Sequence, residues 1–419
     1  MPTNAPETVQ GPSCRFCGQD LVTTFVDLGM SPLCQTHIAP SQLNEMEPFY
    51  PLHAYVCSRC FLVQLEQFVA PSAIFSDYAY FSSYSDSWVE HARHYTNAMR
   101  QRLGLGRGSL VTEIASNDGY LLQHFVAEGI PVLGVEPASN VAQVAQAKGV
   151  RTTVEFFGLE TARRIGQEFG QPDLLLGNNV LAHVPDINDF VAGLGALVKP
   201  NGVITMEFPH VLKLIDQNQF DTIYHEHFSY LAFFVVQRIF EHHGLRVFDV
   251  EELSTHGGSL RIYACRSQSS VHLDCPSVAR LRAKEMAAGL STLDTYRGFS
   301  DRVHETKRDI LQFLISAKRE GKRLAGYGAP GKGNTLLNYC GIRTDFLDFT
   351  VDRNPFKQGK FTPGMRIPIL APDAIESARP DYILILPWNL QAEIVKSMSF
   401  VRRWGGRFVV PIPKVMVLD

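Results

Sequence analysis

The chain has 419 residues, 45% hydrophobic and 19% charged, with a formal net charge of -3. This balance argues against nucleic-acid or membrane-surface binding, and no apolar run reaches the ~18 residues of a membrane-spanning helix. The length implies two or three domains of ~100–200 residues. The polar start MPTNAPETVQGPS lacks a secretory apolar region, which predicts a cytoplasmic protein whose cysteines are thiols or metal ligands, not disulfides.

Cys14-Arg15-Phe16-Cys17-Gly18 and Cys57-Ser58-Arg59-Cys60 form two C-x-x-C pairs, spaced more widely than is commonest. Each pair turns two thiolates onto one ion, and Cys14, Cys17, Cys57 and Cys60 together complete a tetrahedral zinc site. Four sulfurs leave no open position, so the zinc is expected to be structural. Residues 1–72 are too few to bury much core, and the metal is expected to hold them folded. Cys34 and His37 lie between the pairs as substitute ligands.

The next stretch, AIFSDYAYFSSYSDS, is crowded with aromatics and hydroxyls. It either packs between domains or covers a ligand pocket, and Tyr78 is its candidate contact. The run Trp88–Leu103 then has the spacing of an amphipathic helix.

Val111–Pro137 organises the rest of the chain. An apolar run ends at Glu113, and the small residues Ala115-Ser116-Asn117-Asp118-Gly119 make a tight loop. An amphipathic helical run follows, and a second apolar run ends at Glu136. Strand, loop, helix, strand and acid are half of a nucleotide-binding α/β unit, whose terminal carboxylate accepts hydrogen bonds from ribose hydroxyls. The loop is not G-x-G-x-x-G and carries Asp118 without a basic residue, so a cationic or zwitterionic ligand suits it better than a dinucleotide. S-adenosylmethionine, with its ammonium and sulfonium, fits, and Glu113, Asn117 and Gly119 are candidate contacts beside Glu136.

The alternation continues with a helix over 140–148, a strand over 150–153, and Phe156 and Phe157, of which Phe157 is placed to flank adenine. A helix over 159–169 and a strand over 172–176 follow, the latter ending in Asn178 and Asn179. In a doubly wound sheet this strand end lies beside the first, which points Asn178 and Asn179 at the cofactor, with His183 on the next turn. The segments EIASNDGYLL, GVEPA, NNVLAHVPD and LVKPNGVITMEFPH, in this order, resemble a class I S-adenosylmethionine-dependent methyltransferase. The loop ASNDG departs from the glycine-richer form of that family.

Asp221–Tyr230, DTIYHEHFSY, is the densest polar-aromatic cluster. His225 and His227 flank Glu226, with Tyr224 and Tyr230 outside them; this set suits proton abstraction near neutral pH, with His225 a candidate substrate contact, and the alternative is a hydrogen-bonded turn. The spacing is not that of a helical H-E-x-x-H metal site. His256-Gly257-Gly258 is a glycine-rich turn where a sugar or phosphate can approach the backbone, or a plain β-turn.

A second α/β unit opens with a strand over 323–327 and the loop Gly328–Thr335 entering a helix, then a strand over 346–351 ending at Asp352-Arg353-Asn354. Glycine amides, a helix N-terminus and Lys332 suit a diphosphate, although G-K-[ST] is missing. Gly331, Lys332, Asn334, Asp352 and Arg353 are the candidate contacts.

The order CRFCG, C-x-x-C, methyltransferase core, YHEHFSYL, HGGSLRIY, GYGAPGKGNTLLNYCGI and DRNPFKQGKFTPGMRIPI is similar to that of the sugar C-methyltransferases of antibiotic deoxysugar biosynthesis. The nearest resemblance is to 3-C-methyltransferases acting on a dTDP-linked 3-amino-4-keto-2,3,6-trideoxyhexose. It implies that the histidine at 227 is the base and that Tyr224, Glu226 and His183 line the same pocket. The expected fold class is α/β: a zinc module (1–72), a class I methyltransferase domain (73–270) and a Rossmann-like nucleotide-sugar domain (271–419). A monomer is expected. The competing readings are O- or N-methylation of a nucleotide-sugar, an NAD-dependent oxidoreductase using the second glycine-rich loop, and a zinc-ribbon scaffold without catalysis.

Overall fold

The computed structural model describes residues 11–75 and 81–418; Tyr78 lies outside them. Three strands open the chain, β1 (Thr23–Ser31), β2 (Tyr50–Val56) and β3 (Val63–Leu65). They pair antiparallel. The first cysteine knuckle precedes β1, and the second joins β2 to β3. Gly18 adopts φ 72°, the left-handed turn that closes the first knuckle.

Five parallel strands follow: β4 (Val111–Ile114), β5 (Val132–Val135), β6 (Thr152–Thr153), β7 (Leu174–Asn178) and β8 (Val203–Pro209). Runs such as Leu174–Asn178 are buried at every position, because helices cover both faces of the sheet. The two-residue β9 (Ser229–Tyr230) leaves this sheet and pairs with β3 instead. Then β10 (Leu245–Leu253) and β11 (Ser259–Arg266) return as an antiparallel edge, giving the order β10-β11-β8-β7-β4-β5-β6. Neighbouring β4 and β7 run parallel, so their carboxyl ends open into one crevice.

A 21-residue helix, Phe299–Arg319, leads to the third sheet. Its strands are β12 (Leu324–Tyr327), β13 (Thr350–Val351), β14 (Ile369–Leu370), β15 (Tyr382–Ile385), β16 (Arg407–Val410) and β17 (Met416–Leu418). The order is β14-β13-β12-β15-β16-β17, parallel except for β17. The architecture is thus α/β, with a small cysteine-rich module and two Rossmann-like sheets. One continuous core joins all three, including Phe25, Phe208, Tyr296, Leu336 and Val409; Phe25 stacks on Phe299 at 4.4 Å.

Two strands are shorter than their apolar runs predict. At 346–349 the chain turns, with the amides of Phe346 and Leu347 bonding to the Arg343 carbonyl, and only Thr350–Val351 pairs. The Val150 amide is taken by Ala145 at the end of the preceding helix, which leaves Thr152–Thr153 as the strand.

Candidate active site

The ends of β4, β5 and β7 face the loop before the helix Gly331–Cys340 across a cavity of about 950 Å³. This is the upper end of the ~300–1,000 Å³ usual for a ligand cleft. Asn117, Glu136, Phe157, Asn178, Asn179, His183, Tyr224, Glu226, His256, Gly331 and Lys332 all lie on its wall. Three sequence-distant segments therefore converge on one space.

On the methyltransferase side, Asn117 has φ 49° and Gly119 φ 74°, so the first loop is a left-handed turn. A Cβ at Gly119 would come within 3.0 Å of Val150 and 3.2 Å of Ala145. That glycine lets the helix sit close to the sheet and does not touch the cavity. Glu113 is fully buried beneath the loop, and burial next to Glu136 and Asp118 raises its pKa well above the usual carboxylate range. Both residues were expected as ligand contacts and instead support the loop from behind. Glu136 receives the amides of Asn117 and Ala138, each at 2.9 Å. Burial pushes its pKa up to about 7, against the pull of those two amides. The side-chain oxygen and nitrogen of Asn178 and the oxygen of Asn179 are buried without partners among the described residues. Buried polar atoms of this kind are satisfied by a ligand or water.

The His-Glu-His segment sits at the junction of this domain and the zinc module. His227 Nδ1 lies 3.0 Å from the Thr222 carbonyl, which can only accept, so Nδ1 carries the proton. Nε2 is then the lone-pair nitrogen, and it has no partner among the described residues. Burial, and His183 next to it, hold the imidazole pKa well below 6.5, so the ring is neutral at neutral pH. The His227 ring stands behind the wall, 4.1 Å from the Tyr224 ring and 4.6 Å from the His183 ring, both of which face the cavity. The pKa of His183 is lowered to about 4 by burial, and its Nδ1 is unpartnered. Burial, followed by Cys34 and Glu226, raises the Tyr224 hydroxyl pKa well above its usual value, so it remains a proton donor. His225 points away: its Nε2 meets the Pro51 carbonyl at 3.1 Å and its ring packs edge-on against Tyr50. Expected as a substrate contact, it ties the segment to β2.

From the C-terminal side, Lys332 reaches the wall from the first turn of its helix. Its Nζ donates to Asn389 at 2.9 Å and lies 4.5 Å from the Trp388 ring. Burial lowers its pKa, with Asp221 opposing. His256 has φ 53° and packs 4.9 Å from Trp88; burial, with Lys332 next, lowers its pKa to about 4. Three other expected substrate residues are absent from the wall. Asn334 is buried and donates to the Cys34 carbonyl at 2.6 Å, a link between domains. Asp352 accepts the Ala329 amide and so shapes the loop. Arg353 is exposed and pairs with Glu393 at 3.3 Å.

Several wall residues carried no sequence signal. His91 and Thr255 line the cavity and both bond to Glu207, which also receives Arg261 at 2.9 Å. Burial alone would raise the Glu207 pKa, but His91 and Arg261 outweigh it and hold the carboxylate below its usual value. Only the sheet order brings these residues together.

The four sulfurs of Cys14, Cys17, Cys57 and Cys60 lie within 4.8 Å of one another, and the Cys14–Cys60 and Cys17–Cys57 separations are 3.5 Å. Zinc–sulfur bonds of about 2.3 Å place tetrahedral ligands about 3.8 Å apart, so the set fits zinc. Neither substitute ligand belongs to it. Cys34 meets Glu226, and His37 faces the Ala329 carbonyl.

Comparison with known proteins follows this geometry. Residues 14–75 match a family described as a zinc binding domain, 88–250 a methyltransferase domain, and 254–413 a C-methyltransferase C-terminal domain. The C-methyltransferase NovU of Streptomyces niveus is 38% identical over 406 residues, covering 97% of this chain and 96% of that one. A ubiquinone biosynthesis O-methyltransferase of Azorhizobium caulinodans is 29% identical over 123 residues, covering 28% of this chain and 46% of that one. Among solved structures, the magnesium protoporphyrin IX methyltransferase of Synechocystis PCC 6803 is 18% identical with a TM-score of 0.35, covering 43% of this chain and 83% of that one. Among the described residues no helix is long and apolar enough to cross a membrane. The chain belongs to the C-methyltransferase family: it is an S-adenosylmethionine-dependent C-methyltransferase with a structural zinc module.

Proposed function

We propose that the enzyme methylates C3 of a dTDP-linked 4-keto hexose, a 3-amino-2,3,6-trideoxy sugar, with His227 as the base. The observation that carries this reading is the His227 tautomer: Nδ1–H is committed to Thr222, and a neutral, unpartnered Nε2 is left to take a proton. A base in this state matters because an unactivated C–H does not attack a methyl donor. A C–H beside a ketone does, since its anion spreads onto oxygen. Methylation of oxygen or nitrogen needs no such carbon-acid step.

Bound S-adenosylmethionine supplies an electrophilic methyl group on a sulfonium. Glu136 accepts the ribose hydroxyls, Phe157 flanks adenine, and Asn178 and Asn179 hold the methionyl end. His227 removes the C3 proton; Tyr224 donates toward the developing O4 charge. Lys332 and the amides opening its helix hold the diphosphate, with His256 beside the sugar. Orientation of two reactants in one closed space supplies much of the rate.

His183 is the second candidate base, because it lies on the wall whereas His227 stands one ring behind. Incubating the dTDP-linked 4-keto sugar in heavy water without methyl donor tests the scheme. Deuterium is expected at C3, absent in His227→Ala and retained in His183→Ala; the reverse pattern reassigns the base, and no exchange in wild type removes the carbon-acid route. Product NMR then locates the methyl group.

A further inference from the structure

We infer that Cys34 is a positioning residue for the reaction site, its thiol fixing the Glu226 carboxylate from the zinc module. Cys34 Sγ lies 3.4 Å from Glu226 Oε1, and the two residues are 3% and 4% exposed. Glu226 is on the cavity wall, one residue before His227. A sulfur at this distance from a carboxylate oxygen, both shielded from water, is either a hydrogen bond or a repulsive contact, and the proton inventory decides for the bond. Burial, and then Glu226 itself, raise the thiol pKa well above 9.0, so the group remains S–H and donates.

The thiol is also held from outside. Its backbone carbonyl takes Asn334 Nδ2 at 2.6 Å, and a Cβ at Gly331 would come within 3.0 Å of Sγ. Gly331 opens the helix that presents Lys332. The Cys34 loop also contributes His37, which reaches the Ala329 carbonyl at 3.4 Å; Lys357 donates to the same oxygen at 2.8 Å. The segment after β1 is therefore wedged between the two Rossmann-like domains, and its thiol meets the one carboxylate of the His-Glu-His sequence. A cysteine outside the metal set thus gives the zinc module a direct contact with the reaction site.

This inference rests on Glu226 belonging to that site, and the test separates the two. Full-length, zinc-loaded Cys34→Ala, Cys34→Ser, Glu226→Gln and the Cys34→Ala/Glu226→Gln double variant are assayed with S-adenosylmethionine and the dTDP-linked 4-keto hexose. Cys34→Ala should lower kcat about tenfold, equivalent to about 1.4 kcal/mol, with zinc content and S-adenosylmethionine affinity unchanged. Cys34→Ser, which restores a donor, should recover most of the loss. In the Glu226→Gln background, removing the thiol should cost less than about twofold, as expected of coupled partners. The infrared S–H band lost in Cys34→Ala should shift in Glu226→Gln, a readout that needs no sugar.

Wild-type kcat in Cys34→Ala, failure of serine to rescue, additive losses in the double variant, or an unmoved S–H band each overturn the inference. Wild-type turnover in Glu226→Gln overturns the placing of Glu226, and the inference with it. A slow Glu226→Gln beside a full-speed Cys34→Ala removes the inference alone.

Discussion

Two loops of the same architectural type face each other across one cavity, and they carry opposite kinds of ionisable side chain. The loop after β4 is backed by Glu113, Asp118 and Glu136, and Lys148 Nζ lies 3.4 Å from Asp118. The loop after β12 presents Lys332, with Lys357 donating to the Ala329 carbonyl within it. Each opens a helix beside a parallel strand, so topology does not distinguish them. Side-chain chemistry does: carboxyls back the one and an amine projects from the other, and under the proposed function they meet a sulfonium with its ammonium and a diphosphate. Under the proposed function, a cleft with carboxyls on one wall and an amine on the other would sort two unlike reactants before chemistry begins.

The largest expected effect tests what lies between the walls. His227→Ala should lower kcat by ~10²–10⁴-fold, the usual contribution of a general base, while calorimetry finds S-adenosylmethionine affinity unchanged. Zinc removal comes next. Because Cys34 and Asn334 join the metal module to the basic loop, chelation should abolish sugar-nucleotide binding in titration calorimetry yet leave S-adenosylmethionine affinity within severalfold. Equal loss of both ligands would show that the walls do not respond separately. Lys332→Ala should raise the sugar-nucleotide KM by ~10–100-fold, the range of a charge-assisted hydrogen bond, with the methyl donor's KM unmoved.

The smallest effect is a pH dependence on the acidic wall. The Glu136 pKa is raised to about 7, so its carboxylate form is lost as pH falls through that value. S-adenosylmethionine affinity should drop about tenfold from pH 8 to pH 6. In Glu136→Gln the dependence should flatten; a persisting slope would assign it to another group.

How much of this was legible in the sequence depends on how far each signal reaches along the chain. Glu136, Asn178 and the cysteine pairs are local, since a strand end or a knuckle is written within a few residues. Lys332 was legible for the same reason, as a cation inside a glycine-rich strand-to-helix turn. Glu113 and Gly119 share that strand-to-helix motif, yet face inward, because sequence position alone does not separate a loop's lining from its support. Asn334, Asp352 and Arg353 failed similarly: proximity to a phosphate-type loop does not say which side chains turn into the cleft. The Cys34–Glu226 and His91–Glu207–Arg261 contacts join segments far apart in sequence. No periodicity encodes such pairs; they exist only once the sheets are assembled.

Strand β9 is two residues long, and it crosses from the methyltransferase fold to the cysteine-rich sheet directly after the His-Glu-His segment. The N-terminal module is thereby stitched into the reactive segment and is not a detachable appendage. Chimaeras that exchange the first module between relatives would have to exchange the Asp221–Leu231 segment with it, or the graft would arrive without its seam. Recombination at the tidy boundary between modules would yield folded but catalytically mute hybrids, whereas a discontinuous swap of both pieces would carry the parent's chemistry across.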